Sequence, residues 1–458
     1  MRKSDLIYDV HEKPGYGKWI ILSLQHVLAM FGATVLVPIL TGLPISVTLV
    51  SAGIGTLIYI LLTKGKSPVF LGSSFAYIAP IMSASVIGFG LSNENVQNYL
   101  KHKVQLSDLG LTSSDLNLFA VTVGLVSVGI TYLIVALIIR FVGTNWINKI
   151  LPPIVIGPTI MVIGLSLAGV AVKMLSENGQ GTSDWRYIVV GLSALLTAIL
   201  VANYTKGVLQ LIPIMSGIVV GYIVGVLFGI VDFSQVYDAE WIEIPQFVWL
   251  NKTAYSRFEM SQILDIVILM VPVALVTISE HIGDHLVLST IIGKDLTKNP
   301  GLARTLAGDG LATLTAGLLG GPANTTYGEN TGVVGITKVA SVWVIGGAAI
   351  VALVLGFVGK FTALISTVPA CVMGGVSMML FGVIASSGVR VLINNRIDFS
   401  KQRNLIIAAV ILVSGVGGLS ISIGKVTFTG MALSAIIGII LHQILPEKEA
   451  AYGPKNQG

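Results

Sequence analysis

Apolar runs of about 20 residues recur along this chain from residue 19 to residue 445, separated by short polar stretches. A helix of that length crosses the hydrocarbon core of a bilayer. In lipid only helices and closed barrels satisfy their own backbone polar groups. The mean hydropathy is +0.87 and charged residues make up 11% of the chain, more apolar sequence than a soluble core absorbs. The sequence therefore predicts an all-α polytopic membrane protein embedded in a lipid bilayer, with little chain left for soluble domains. Spans are predicted near 19–40, 45–62, 74–89, 117–140, 151–171, 187–203, 208–230, 263–290, 304–320, 326–339, 341–359, 363–385, 404–422 and 428–445, about fourteen in all.

An even number of spans puts both termini on one side. Of the 27 basic residues, 19 fall on the side of the termini, among them Arg2, Lys3, Lys206, Lys294, Lys338, Arg390 and Lys455, and 8 on the other, among them Lys101, Lys103, Lys252, Arg257 and Lys425. The excess of basic residues in cytoplasmic loops predicts that both termini are cytoplasmic in a cell-membrane protein. The formal charge of +5 is thus a topology signal and does not point to nucleic acid. The segment 1–18 lacks the apolar core and cleavage site of a signal peptide, so the first span is expected to stay in the membrane. Cys371 is the only cysteine; it excludes an intrachain disulfide and reads as a small buried hydrophobe. The loops 90–116 and 231–262 are expected on the outer side, the first partly helical.

One polar island stands out: Asn324-Thr325-Thr326-Tyr327-Gly328-Glu329-Asn330-Thr331-Gly332, between two apolar runs. A carboxylate at membrane depth is costly, roughly 2.5–3.5 kcal/mol on insertion scales, so Glu329 is a candidate functional residue. Its glycines and hydroxyls suggest a broken helix, with backbone N–H groups exposed at Tyr327 and Gly328. A half-helix start offers unpaired donors along its axis. The alternative for Glu329, a first-turn capping acid, is compatible with that role. Ser73-Ser74-Phe75-Ala76 repeats the pattern of Thr325-Thr326-Tyr327-Gly328. Gln25-His26 stands 49 residues before Phe75 as Glu280-His281 stands 46 before Tyr327. Two short, polar-interrupted spans at matching places point to an inverted-repeat transporter. Seven spans per half give 1–230 as the first repeat, 231–262 as an outer loop and 263–458 as the second repeat.

In the eighth span Glu280 and Asp284 lie four apart, on one helical face. They are candidates for substrate or proton binding; for Asp284 the competing reading is an ion pair with Lys294. His281 and His285 are also four apart, but no third ligand has metal spacing and His-Glu-x-x-His is absent, so no metal or other cofactor is expected. His281 reads as a packed or hydrogen-bonding neighbour, and His26 as orienting the site or satisfying broken-helix backbone. Phe75 and Tyr327 are candidate flat walls for an aromatic ligand. No Ser/Lys pair, aspartate dyad or metal set is placed for catalysis, so the chain is not expected to be an enzyme.

Glu329-Asn330-Thr331-Gly332-Val333-Val334-Gly335-Ile336-Thr337-Lys338 resembles the signature of the nucleobase–ascorbate transporter family. The likeness extends through Ser23-Leu24-Gln25-His26, Leu71-Gly72-Ser73-Ser74-Phe75-Ala76, Ser279-Glu280-His281-Ile282-Gly283 and 369–388, nearly the whole chain. The glutamate opening the signature is like that of the bacterial uracil permeases; purine members more often carry glutamine. The resemblance implies seven-plus-seven inverted repeats and a core domain, spans 1–4 and 8–11, moving against a gate domain, spans 5–7 and 12–14. It further implies a homodimer and proton-coupled uracil uptake. Glu280 and Glu329 would contact the base, and Phe75 and Gly328 would offer main-chain N–H groups, with Tyr327 and Asn330 beside them. Gln25, His26, Ser74, Thr326, His281 and Phe381 would support the site; Glu329, Asp284 and Glu280 would carry the coupling proton. Asp284 and Phe381 depart from the family pattern, which has histidine and tyrosine there. The alternatives are a purine or xanthine permease of the same family and an anion transporter on the same fold, the latter opposed by acids at both centres.

Overall fold

The computed structural model describes residues 6–100, 106–111, 115–178, 182–207, 209–251, 258–423, 426–428 and 430–446. Arg2, Lys3, Lys101, Lys103, Lys252, Arg257, Lys425, Lys448 and Lys455, counted above for topology, lie outside them, as do both chain ends. The first half contains α1 (Tyr16–Thr41), α2 (Ile45–Leu62), β1 (Leu71–Ser73), α3 (Ile78–Ser85), α4 (Asn93–Leu100), α5 (Leu118–Val142), α6 (Asn145–Ile150), α7 (Pro153–Ser166), α8 (Ala168–Ser176), α9 (Trp185–Tyr204) and α10 (Pro213–Leu227). After α11 (Ser234–Asp238) come α12 (Ile263–Met270), α13 (Ala274–Ile292), α14 (Leu302–Leu319), β2 (Asn324–Thr326), α15 (Gly328–Thr337), α16 (Val342–Leu355), α17 (Gly359–Ser366), α18 (Ala370–Asn394) and α19 (Gln402–Val416). The hairpin β3 (Ile421–Ile423) and β4 (Val426–Phe428) and then α20 (Gly430–Ile444) close the described chain.

Among the described residues seven helical stretches are long and apolar enough to cross a membrane, and α16 with α17 forms a further pair bent by 84°. Shorter apolar helices, α10, α19, α20 and the segment Phe75–Ser85, stand beside them, together with α14 and α15. Large apolar side chains such as Ile134, Leu137, Phe141, Leu196 and Ile223 remain exposed on helix flanks, as expected of lipid-facing positions.

The span predicted over 363–385 is displaced. The chain instead ends α17 at Ser366 and starts α18 at Ala370, with Pro369 as its N-cap. Proline disfavours helix at the residue before it, so Pro369 sets this boundary. The predicted span 404–422 likewise stops at Val416, and the chain turns at Gly418 (φ 68°) into the unanticipated β3–β4 hairpin.

The helices pack in two groups. In one, α14 lies against α5 and α2, with α16 joining α2 and α1; in the other, α18 lies against α7, α8 and α9, with α10 on α9 and α19 and α20 on α7. Small residues allow close helix approach in a bundle. At the α5–α14 crossing a Cβ on Gly129 would sit 2.7 Å from the Gly310 carbonyl oxygen, and one on Gly310 would sit 2.5 Å from Tyr132 Cβ. Neither position accepts a larger residue without moving a helix.

Candidate functional site

The two broken spans meet between these groups. β1 pairs antiparallel with β2, with Leu71 opposite Thr326, Gly72 opposite Thr325 and Ser73 opposite Asn324. The strands satisfy each other's backbone where neither span is helical, which makes extended chain tolerable at membrane depth. Gly72 is required here, because a Cβ on it would strike the Tyr327 ring. Tyr327 is buried; its hydroxyl donates to the Ser73 carbonyl (3.0 Å) and lies 3.1 Å from Ser73 Oγ, while Thr34 Oγ1 donates to it (3.3 Å).

One expectation fails at this point. The Tyr327 N–H is not free but donates to the Phe70 carbonyl (3.1 Å), because the β1–β2 pairing extends to it. Gly328 is exposed and opens α15, whose start has no side-chain cap. Phe75 opens the helical turn before α3, also without a side-chain cap, and the preceding Ser74 has a buried Oγ without a partner. The Phe75 ring meets Phe381 of α18 edge to face, centroids 5.7 Å apart at 83°.

A cavity of about 300 Å³ lies in front of these helix starts. Glu280 and Asp284 of α13, Glu329 and Gly328 of α15, Thr325, Thr326, Tyr327 and Phe75 line it on one side; Ile160 of α7, and Leu380, Ser387 and Arg390 of α18, line it on the other. Thr325 Oγ1 donates to Glu280 Oε2 (3.4 Å) and Thr326 Oγ1 to Asp284 Oδ2 (3.2 Å). Beyond these weak bonds the carboxylates face open space. Lys294 is not the partner of Asp284: its ammonium sits 2.6 and 2.7 Å from the Asp9 carboxylate.

The remaining predicted residues stand behind the cavity. Asn330 Nδ2 donates to the His26 carbonyl (3.1 Å) and lies 3.0 Å from His26 Nδ1, tying α15 to α1; Gln25 is buried on the same helix. His281 Nδ1 lies 2.8 Å from Asp309 Oδ2, and its Nε2 lies 3.0 Å from Thr305 Oγ1. His285 Nδ1–H donates to the His281 carbonyl (2.8 Å), which leaves Nε2 to accept from the Tyr59 hydroxyl (2.6 Å). The two rings stack at 4.0 Å, and every ring nitrogen has a protein partner.

Sequence reasoning missed Asp309, Tyr59, Thr305 and Arg390. Asp309 carried the signal that exposed Glu280, an acid inside an apolar span, and is fully buried on α14. Tyr59 and Thr305 carried none, since single hydroxyls are common in spans and only the fold brings them to the histidines.

The family model Xan_ur_permease, described as a permease family, matches residues 17–423. The chain belongs to this family. It is 48% identical over 446 residues to the uracil permease of Bacillus caldolyticus, covering 97% of this chain and 96% of the relative. It is 46% identical to the uracil permease of Bacillus subtilis (strain 168), covering 98% and 97%, and 42% identical to that of Escherichia coli (strain K12), covering 95% and 93%. Among solved structures, the transmembrane domain of the cyanobacterial bicarbonate transporter BicA superposes with a TM-score of 0.60 at 16% identity, covering 93% of this chain and 96% of that one. SLC26A9 superposes at 0.61 and 12% identity, covering 93% of this chain and 64% of that one. These two share the fold. The permease is a multi-pass membrane protein, all-α apart from short paired strands, with two broken spans at its centre.

Proposed function

We propose that this permease is a proton–uracil symporter of the cytoplasmic membrane, with both termini in the cytoplasm and two copies per assembly. The single observation that carries the reading is the convergence of two carboxylates, Glu280 and Glu329, with the uncapped helix starts at Phe75 and Gly328 around one cavity. Uracil presents two ring N–H donors and two carbonyl acceptors on a flat, neutral ring. Carboxylates accept from the N–H groups and backbone N–H groups donate to the carbonyls. Phe75 lines the cavity with an aromatic ring, held edge to face by Phe381 behind it. Such a site rejects analogues lacking these groups, because its own polar atoms would be left unpaired. The uracil permeases at 42–48% identity over nearly the whole chain support the same substrate.

Proton coupling rests on the three cavity acids, Glu280, Asp284 and Glu329. A carboxylate leaving water for a low-dielectric site favours its neutral form, which makes such a group a proton carrier. In this reading the group around α14 and the broken spans is the core, and it moves against the gate formed around α18. The test is uracil counterflow in proteoliposomes with pH and sodium varied separately, and with unlabelled bases as competitors. Uracil is expected to exchange, to accumulate with an inward proton gradient and to ignore sodium. Sodium-dependent, pH-independent uptake overturns the coupling; stronger competition by xanthine or another purine overturns the substrate.

A further inference from the structure

The two walls of the cavity are unequal in charge. The α13 and α15 side brings three carboxylates, whereas the α7 and α18 side brings one ionisable group, Arg390. Arg390 is exposed near the end of α18 and has no hydrogen bond or ion pair among the described residues. A second recess, about 60 Å³, is lined by both Asp284 and Arg390, together with Gly283, Gly328, Thr331 and Val391. Gly283 marks the point where α13 meets the opposite wall: a Cβ there would lie 3.2 Å from Ile160 Cδ1 and 3.6 Å from Val391 Cγ2. Asp284 follows that contact by one residue on α13, and Arg390 precedes it by one residue on α18. The other groups facing Asp284 are Glu280 on its own helix, Glu329 on α15 and the Thr326 hydroxyl on β2; α7 contributes only apolar Ile160. Among the described residues that line the cavity and the recess, Asp284 thus has one cation, and it stands on the other packing group.

We propose that Arg390 is the gate-side charge partner of Asp284, and that their ion pair, formed when the two walls close on the recess, shuts the cavity toward the cytoplasm. The inference rests on the transport reading above, in which the α13 wall moves against the α18 wall. A guanidinium suits the task because its planar fork engages a carboxylate through two parallel hydrogen bonds and keeps its charge at every physiological pH. An ion pair between two moving bodies favours the arrangement in which its partners are adjacent, and so acts as a latch on one side of the cycle. The cavity mouth carries Gln210–Pro213, Ile336 and Arg390, on the side that the basic-residue bias assigns to the cytoplasm.

The experiment reads accessibility without substrate. In a Cys371→Ser background, Ala29→Cys places a thiol on the cavity wall, and Gln210→Cys is a second reporter should the first variant misfold. Labelling by a membrane-impermeant maleimide is timed in inside-out vesicles. Arg390→Gln is expected to speed labelling about threefold, within the range for water-accessible ion pairs. Asp284→Asn is expected to speed it equally, the double variant no further, and Arg390→Lys only in part. A direct electrostatic effect on the thiol would have opposite signs in the two single variants, so opposite signs overturn the proposal. So do an unchanged rate in Arg390→Gln and an additive increase in the double variant. Uracil counterflow of the parent protein, run alongside, tests the substrate reading separately; its absence refutes that reading without altering the labelling result.

Discussion

Helix α13 carries two polar pairs, each one turn apart, on two neighbouring stripes. Glu280 and Asp284 face the cavity, and each accepts one weak hydroxyl bond. His281 and His285 face inward, and all four ring nitrogens are paired. Both pairs sit at membrane depth, where polar groups are expensive, and the difference lies in who satisfies them. The histidine stripe is satisfied by the protein itself and fixes how α13 sits against α14 and α2. The carboxylate stripe is left for something that enters the cavity. Completeness of pairing, more than residue type, therefore separates structure from function on this helix.

The largest effect that would break this contrast is at Asp309. Asp309→Leu removes the partner of His281 in a fully buried site and is expected to destabilise the protein by about 2–4 kcal/mol, since it leaves the His281 ring nitrogen unpaired and sets a bulkier side chain in packed surroundings. Thermal unfolding in detergent checks this, with Asp309→Asn, which keeps an acceptor, losing clearly less. A leucine variant as stable as the parent would show that the histidine stripe is not structural.

On the cavity stripe the expectation is reversed. Glu280→Gln should leave unfolding unchanged and weaken uracil binding by roughly 1.5–3 kcal/mol, since an amide replaces a charged acceptor by a donor on one side. Binding to the purified variant by calorimetry measures it, and near-parental affinity refutes the assignment. Asp284→Asn should act on transport more than on binding. Affinity is expected to shift by less than about threefold, because the Thr326 hydroxyl still finds an acceptor. Proton-driven accumulation in liposomes should fall much further. Two carboxylates one turn apart disfavour joint ionisation, so one of them holds a proton more tightly. If affinity and accumulation fall equally, Glu329 is the better coupling group.

Much of this was legible in the sequence, for physical reasons that can be located. Apolar length placed α1, α2, α5, α9 and the continuous run of α12 and α13 to within a few residues, because a bilayer dictates helix length directly. The paired hydroxyl–aromatic motifs located both broken spans, because only small polar residues tolerate extended chain at that depth. What was lost depended on partners. The Tyr327 N–H looked free because the Phe70 carbonyl that takes it is more than 250 residues away. Lys294 looked like a partner for Asp284 by sequence distance, yet the fold gives it to Asp9. Arg390 looked like an ordinary inner-side base, and only the opposed walls of the cavity give it a role.

Asp9 supplies the smallest predicted effect and the limiting case of the comparison. The N-terminal segment straps the end of α15: Ile7 N–H donates to the Lys338 carbonyl (2.8 Å), Ala340 N–H to Tyr8 (2.9 Å) and Val342 N–H to Val10 (2.9 Å), with Val10 buried beneath. Lys338 sits in the left-handed region (φ 58°) to make the turn. Asp9 then reaches Lys294, just beyond the end of α13, so the strap joins the C-terminal ends of both site helices. The Lys294 hydrogen bond holds the Asp9 carboxyl below its ordinary value of 3.8. A depressed carboxylate contributes stability above its unfolded value and loses it as pH falls through the folded one. The contribution is therefore full at neutral pH and gone in strong acid. It is also small, because both side chains are about half exposed, at 45% and 47%. Asp9→Asn should lower stability by less than about 1 kcal/mol at pH 7, and the difference from the parent should close as the pH falls below 3.8. Unfolding midpoints of the two proteins across that range decide it. A gap that persists in acid would mean that the strap is held by its backbone pairing with residues 338–342 alone. A gap as large as that of Asp309→Leu would mean that exposure does not weaken an ion pair here, and the contrast between the two stripes of α13 would lose its physical basis.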